Sequence, residues 1–199
     1  MKLPESTHPK ANNPDKVILV GNPNVGKSVI FNYLTQTYRV VSNYPGTTVE
    51  VSSGKAKGGE FPFEVLDTPG VNNLIPNSED EKVTRDILLS EKNYLVINVV
   101  DAKNLRRGLL ITLQIIEMGL PLVVTLNMCD EAKSRGIEIN SKALGEIFGI
   151  PIIGTVATQK KGLENLFPAI KTLGNLKFLR NVLTTNLKNF DSPGVLESL

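Results

Sequence analysis

The sequence predicts an α/β domain built on a mostly parallel sheet, and three observations predict it. Strand-length apolar runs alternate with helically spaced segments along most of the chain. Tyr94-Leu95-Val96-Ile97-Asn98-Val99-Val100 and Pro121 to Leu126 are apolar on both faces, as strands covered from both sides must be. A glycine-rich turn, Gly21-Asn22-Pro23-Asn24-Val25-Gly26-Lys27-Ser28, joins the apolar run Val17-Ile18-Leu19-Val20 to a helical segment opening Val29-Ile30-Phe31.

Taken in order, residues 1–15 are polar, carry Pro4, Pro9 and Pro14, and read as a disordered tail. His8, the only histidine, has no second ligand near it and is not a metal site. Lys16 to Gly21 reads as the first strand and Lys27 to about Gln36 as the first helix. Thr37 to Thr47 shows no periodicity and contains the turn signal Asn43-Tyr44-Pro45-Gly46, so a mobile loop is expected. Val49 to Ser53 and Phe61 to Leu66 form a hairpin around Lys57-Gly58-Gly59-Glu60, with Pro62 early in the second strand, where a missing donor is tolerated.

Asp67-Thr68-Pro69-Gly70 ends that strand, and a helix is expected near Lys82–Ser90. After the buried run 94–100, Leu105, Leu109, Leu110, Leu113 and Ile116 have helical spacing. Pro121 to Leu126 is a buried strand, Lys142 to Phe148 a helix, Pro151 to Thr155 a strand, and Leu163 to Leu173 a final helix that Pro168 is expected to kink. Leu176, Leu179, Leu183, Leu187 and Phe190 mark one more amphipathic helix. It either packs on this domain or begins another.

The chemistry begins at the glycine turn. Its spacing, G-x-x-x-x-G-K-S, is that of a phosphate-binding P-loop. Backbone N–H groups turn inward, the helix start adds partial positive charge, Lys27 adds a full charge, and Ser28 offers a hydroxyl to Mg²⁺. Asp67, ending a strand, can hold Mg²⁺ directly or through water, and Gly70 leaves its N–H open to a γ-phosphate. An ordinary D-x-P-G turn is the competing reading. Asn127-Met128-Cys129-Asp130 selects the base: a carboxylate accepts from N1–H and the amine of guanine, whereas adenine offers no such pair. Asn127 can tie this loop to the P-loop. In Val156-Ala157-Thr158, the small Ala157 lets its N–H reach the guanine O6, unless it only serves tight packing. Together these motifs imply GTP and GDP as ligands.

In these motifs the chain resembles the translation-factor-type GTPases, and more closely the N-terminal G domain of the ferrous iron transport protein B (FeoB) family. Asn43-Tyr44-Pro45-Gly46-Thr47-Thr48-Val49-Glu50 is similar to that family's N-W-P-G-V-T-V-E switch I. Met128 stands where the family places Met and most GTPases have Lys. Ser78 to Asp86 is similar to its acidic switch II followed by V-x-R-D, and Gly108 to Gly119 to its R-N-L-x-L-T-L-Q-L-x-E-x-G helix. The resemblance covers about residues 16–174, with 175–199 left as a short helical extension.

The resemblance implies a Ras-like, six-stranded, mostly parallel sheet ringed by five helices. It also implies roles. Ser28, Thr48 and Asp67 would serve Mg²⁺. Asn24, with switch I carbonyls, would hold K⁺, although an asparagine bracing its own turn is the competing reading. Lys27, Asn24 and Thr48 would carry catalysis. Gly21 to Val29, Gly46, Thr47, Thr48, Asp67, Thr68, Pro69, Gly70, Asn127, Met128, Asp130, Val156, Ala157 and Thr158 would line the nucleotide. Val71 occupies the position of the Ras-type glutamine and cannot orient water, so slow turnover is expected. Arg39 reads as a solvated loop charge rather than a cis arginine finger. The chain departs from the family at Tyr44, Thr47, Thr68 and Val71-Asn72-Asn73-Leu74.

Composition narrows the alternatives. The 199 residues carry a net charge of +2 with no basic cluster, so no nucleic-acid partner is expected. One cysteine, Cys129, leaves no intrachain disulfide and reads as a small residue of the base loop. No segment has the length or apolarity of a membrane span or signal core. The resemblance nevertheless implies a cytoplasmic domain at the inner face of the plasma (inner) membrane. A membrane transport domain would sit in the same or a partner chain, and a homo-oligomer is compatible. Two other readings stand beside a transporter's switch domain: a stand-alone ribosome-assembly or tRNA-modifying GTPase, and a nucleotide-bound regulator with negligible turnover.

Overall fold

The computed structural model describes residues 13–36 and 39–174. Residues 1–12 and 175–199, including the tail with His8 and the Leu176–Phe190 stripe, lie outside the described residues.

β1 (Lys16–Gly21) lies at the centre of a seven-stranded sheet. Its neighbours are β4 (Glu64–Asp67) on one side and β5 (Tyr94–Asp101) on the other, both parallel to it. Beyond β5 come β6 (Leu122–Asn127) and β7 (Ile152–Gly154), again parallel. Beyond β4 the chain adds the antiparallel strands β3 (Glu50–Lys55) and β2 (Val40–Asn43). Because β1 pairs on both edges, the carboxyl ends of β1, β4 and β5 border one crevice, the usual ligand position of an open α/β sheet.

The alternation of β1 divides the core in two. Val17 and Leu19 pack with Ile30, Phe31 and Leu34 of α1 (Lys27–Thr35) and with Leu166 and Ile170 of α6 (Leu166–Gly174). Ile18 and Val20 pack with Val83, Ile87 and Leu88 of α2 (Glu79–Ser90) and with Ile111 and Ile115 of α3 (Leu105–Glu117). Period-2 alternation on a strand and period-3.6 spacing on helices thus meet as three layers.

The sheet has one strand more than six. Residues 40–43, read as part of a mobile loop, pair with Glu50–Ser53. All four are exposed, so this edge strand has no buried face to leave an alternating pattern. Its turn follows the sequence signal: Thr47 N–H donates to the Tyr44 carbonyl at 3.0 Å, and Gly46 takes φ +77°. α6 starts later than expected, at Leu166, and this changes the place of Pro168. It falls in the first turn, after a 3-10 turn at Leu163–Asn165, where no intrahelical N–H partner is lost. The expected hairpin forms between Glu50–Lys55 and Glu64–Asp67, with Lys55 opposite Glu64, so its second strand starts after Phe61 and Phe63. Phe61 and Phe63 instead stack toward Phe167 of α6. Two short helices follow β6: α4 (Cys129–Ser134), which was not expected, and α5 (Ser141–Phe148).

Candidate nucleotide-binding site

β1 ends in a loop whose conformation only certain residues allow. Gly21 has φ +154°, and a Cβ there would meet the Val99 carbonyl oxygen at 2.3 Å. Gly26 has φ +93° and is the N-cap of α1; a Cβ there would meet Asn127 Nδ2 at 2.4 Å. Asn24 sits in the left-handed region at φ +64°. No side chain caps α1, so its first N–H groups face outward, the arrangement that binds anions.

A cavity of about 370 Å³ opens over this helix start. Asn24, Gly26, Lys27, Ser28 and Val29 form one wall, and Asn127, Met128, Asp130, Val156, Ala157 and Thr158 the other. Residues about a hundred positions apart therefore share one hollow. Asn127 makes the join: Nδ2 donates to the Val25 carbonyl at 2.9 Å. Its Oδ1 accepts from Ala157 N–H at 2.9 Å and from Thr155 Oγ1 at 3.2 Å. The Ala157 N–H, expected at the base, is thus engaged with Asn127.

Asp130 is exposed, in the first turn of α4. Gln159 Nε2 lies 3.4 Å from its Oδ2. Sequence reading missed Glu131, which also lines the cavity and pairs with Lys103 at 2.5 Å. Its adjacency to Asp130 was the available signal. Met128 holds a left-handed φ of +63° at the entry to α4.

At the phosphate end, Ser28 Oγ donates to Asp67 Oδ2 at 2.8 Å. Asp67 Oδ1 is buried and has no hydrogen-bond partner among the described residues. Burial raises the Asp67 pKa, while the Ser28 hydrogen bond and the charges of Lys27 and Arg39 pull it back. Burial also pushes the Lys27 ammonium below its ordinary value, with Asp67 opposing the shift. Its Nζ reaches the Gly21 carbonyl at 3.5 Å. An unpartnered carboxylate oxygen beside a hydroxyl is a hard-oxygen donor set, and it fits Mg²⁺.

The remaining predicted residues support the loop rather than line the cavity. Pro23 packs under Gly70, where a Cβ would come within 2.8 Å of Pro23 Cα. Thr68 Oγ1 donates to the Leu19 carbonyl at 2.8 Å. Val71 N–H donates to the Gly21 carbonyl at 3.0 Å, which draws the segment from Asp67 through Pro69 to Val71 along the P-loop. Val25 is buried in the core. Asn22 is buried too, and its Nδ2 donates to the Val71 carbonyl at 2.9 Å and to Asn72 Oδ1 at 3.3 Å. The switch turn is not brought in: Gly46, Thr47 and Thr48 do not line the cavity, and Thr48 is exposed. Asn24 faces the cavity without the switch carbonyls that would complete a K⁺ site.

Residues 15–170 match the family model described as "Ferrous iron transport protein B". The Fe(2+) transport protein A/Fe(2+) transporter FeoB fusion protein of Porphyromonas gingivalis is 41% identical over 170 residues, spanning 84% of this chain and 20% of that protein. The Fe(2+) transporter FeoB of Campylobacter jejuni is 38% identical over 164 residues, spanning 82% of this chain and 27% of that protein. The chain thus spans about a fifth to a quarter of these relatives. Among solved structures, the apo cytosolic domain of the T. maritima FeoB iron transporter superposes with a TM-score of 0.78 at 38% identity, over 83% of this chain and 66% of that one. The isolated T. maritima G domain superposes with a TM-score of 0.73 at 38% identity, over 79% and 97%.

Proposed function

The chain belongs to the ferrous iron transport protein B family, and we propose that it is a Mg²⁺-dependent GTP-binding and GTP-hydrolysing switch domain of a ferrous iron transporter. One observation carries this reading: the helix start with Lys27 and Ser28 and the carboxylate of Asp130 face each other across one cavity. The solved T. maritima cytosolic domain with GMPPNP, 38% identical with a TM-score of 0.78, supports a guanine nucleotide as the ligand.

In this reading the β- and γ-phosphates sit on the open N–H groups of α1, and Lys27 gives them its charge. The same phosphates oppose the lowering that burial imposes on the lysine. Asp130 accepts the two guanine donors. Ser28 and Asp67 would hold Mg²⁺, which would supply positive charge against the phosphates. Thr48 joins them only once the switch turn moves over the cavity, an order–disorder step driven by γ-phosphate contacts. Val71 is 1% exposed and apolar, so backbone groups position the attacking water and turnover is slow. The same burial favours a second reading, a regulator that binds nucleotide and barely turns it over. Family membership sets aside the ribosome-assembly and tRNA-modifying alternatives.

In this proposal, iron transport itself is carried by a transport domain other than this one. Among the described residues no three His, Cys, Asp or Glu side chains gather as a metal site, and no helix is long and apolar enough to cross a membrane. The proposal places the domain in the cytoplasm at the inner face of that membrane, passing nucleotide state to a transport domain.

The test is GTP hydrolysis at fixed Mg²⁺ in K⁺ against Na⁺, in wild type and Asn24→Ala. The expected outcome is hydrolysis stimulated by K⁺ and loss of that stimulation in the variant. Equal slow rates in both salts overturn the K⁺ role, and no single-turnover hydrolysis in either leaves the binding-only regulator.

A further inference from the structure

Arg39 reads from the sequence as a solvated charge; it is exposed, and the fold adds a bond to a buried partner. Val41 of β2 lies opposite Ser52 of β3, and Ser52 lies opposite Asp67 of β4. Directly opposed residues share a face, so Val41, Ser52 and Asp67 belong to one sheet face, and Arg39 stands just before β2. That face packs beneath α1: Val65, two positions before Asp67, shares a core layer with Ile30 and Phe31. Arg39 is exposed at the sheet edge, yet its Nε donates to Ser52 Oγ at 2.8 Å. Ser52 is only 3% exposed, so this bond draws the Nε end of Arg39 toward the buried face on which Ser52 pairs with Asp67.

We propose that Arg39 is a positioning residue for the metal site: a tethered counter-charge to Asp67 that opposes Mg²⁺ loading. The inference rests on the reading of Ser28 and Asp67 as metal ligands. A fixed cation beside a carboxylate lowers the negative potential available to a second cation, and a divalent ion feels this twice as strongly as a monovalent one. Thermodynamic reciprocity then requires that Mg²⁺ weaken the hold of Arg39 on Ser52, loosening the edge strand that leads into the switch turn. This differs from an arginine finger. The guanidinium is bonded to the sheet and does not line the cavity, and its effect passes through Asp67 rather than through a phosphate.

The experiment measures release of a fluorescent GDP from the full chain across a buffered Mg²⁺ series, in wild type, Arg39→Gln and Arg39→Lys. The glutamine variant is expected to slow GDP release at about fivefold lower Mg²⁺ than wild type, while the lysine variant, which keeps the charge, tracks wild type. A wild type that responds to Mg²⁺ with a glutamine variant of the same midpoint overturns this proposal alone. So does a lysine variant that shifts as far as glutamine, because packing would then be the cause. A wild type whose GDP release ignores Mg²⁺ removes the metal reading and this proposal with it.

Discussion

The side-chain nitrogen of Asn127 lies 2.9 Å from the carbonyl oxygen of Val25, a residue 102 positions earlier in the chain. This bond joins the two walls of the cavity. The same side chain takes the N–H of Ala157 and the hydroxyl of Thr155, so one amide ties three loops together. Asn127→Ala would remove a partner from the buried Val25 carbonyl and the buried Ala157 N–H, while the Thr155 hydroxyl keeps the Leu126 carbonyl as acceptor. We expect a stability loss of about 2 kcal/mol. Guanine-nucleotide affinity should fall as well, because the walls are no longer held together. Urea unfolding and a fluorescent-GDP titration check the two parts separately.

Asp130 should set base choice. Asp130→Asn replaces two acceptor oxygens by one acceptor and one donor. The donor faces the guanine amine unfavourably but matches the oxygen that xanthine carries there. GDP affinity is expected to fall by about 100-fold or more and XDP affinity to rise. Competition of GDP, XDP and ADP against a fluorescent guanine nucleotide reads both changes. Unchanged GDP binding would remove Asp130 from the base site.

α3 is seated on β5 through a glycine. A Cβ at Gly108 would stand 2.2 Å from Val100 Cγ1 and 2.8 Å from Cγ2. Beside it, Asn98 Nδ2 donates to Thr112 Oγ1 at 2.8 Å and to the Gly108 carbonyl at 3.3 Å, so the helix cannot slide away without breaking buried bonds. Gly108→Ala should destabilise by about 1–3 kcal/mol despite the better helix propensity of alanine. Adding Val100→Ala removes the obstructing methyl groups and should recover part of the loss. The urea midpoints of the single and double variants make the comparison.

Glu81 predicts an acid-dependent step. Its carboxylate accepts from Asn77 N–H at 2.9 Å and Asn72 N–H at 3.3 Å, and Ser78 Oγ caps its own N–H. These bonds, the Asn77 one foremost, hold its pKa below the usual 4.5. A lowered folded value means stability that is complete above the unfolded value and lost as pH falls through the folded one. Wild type should therefore exceed Glu81→Gln in stability at neutral pH, and the gap should close below about pH 4.5. Urea unfolding of both proteins from pH 7 to pH 3 measures the gap; a constant gap would mean that the glutamine keeps the bonds or that another group dominates.

Much of the fold was legible locally. The run Val17 to Val20, the two-sided apolar strand 94–100 and the helical spacing of Leu105 to Ile116 each carry their period within a few residues. The P-loop was legible for the same reason: only glycine accepts the close approach of Gly21 to Val99, and that requirement is written in one residue. β2 was not legible, because an exposed edge strand is made by its partner's hydrogen bonds rather than by its own side chains. α4 was hidden because six residues, half of them charged, hold too little pattern to show a helix. The place of Pro168 in the first turn was not legible, because it depends on where the helix starts, and that start depends on the 3-10 turn before it.

The sequence alone determined the alternating α/β class, the phosphate loop, and the order in which Asp67 and the Asn127–Asp130 segment follow it, since each rests on neighbouring residues and their intrinsic geometry. Tertiary structure alone decided which groups meet. It gave Ala157 N–H to Asn127, set Gly70 against Pro23, left Thr48 exposed away from the cavity, and brought Arg39 through Ser52 toward Asp67. Those pairings depend on strand order and register across the sheet. Register is settled by burying both core layers at once, and no stretch of the chain carries that information by itself.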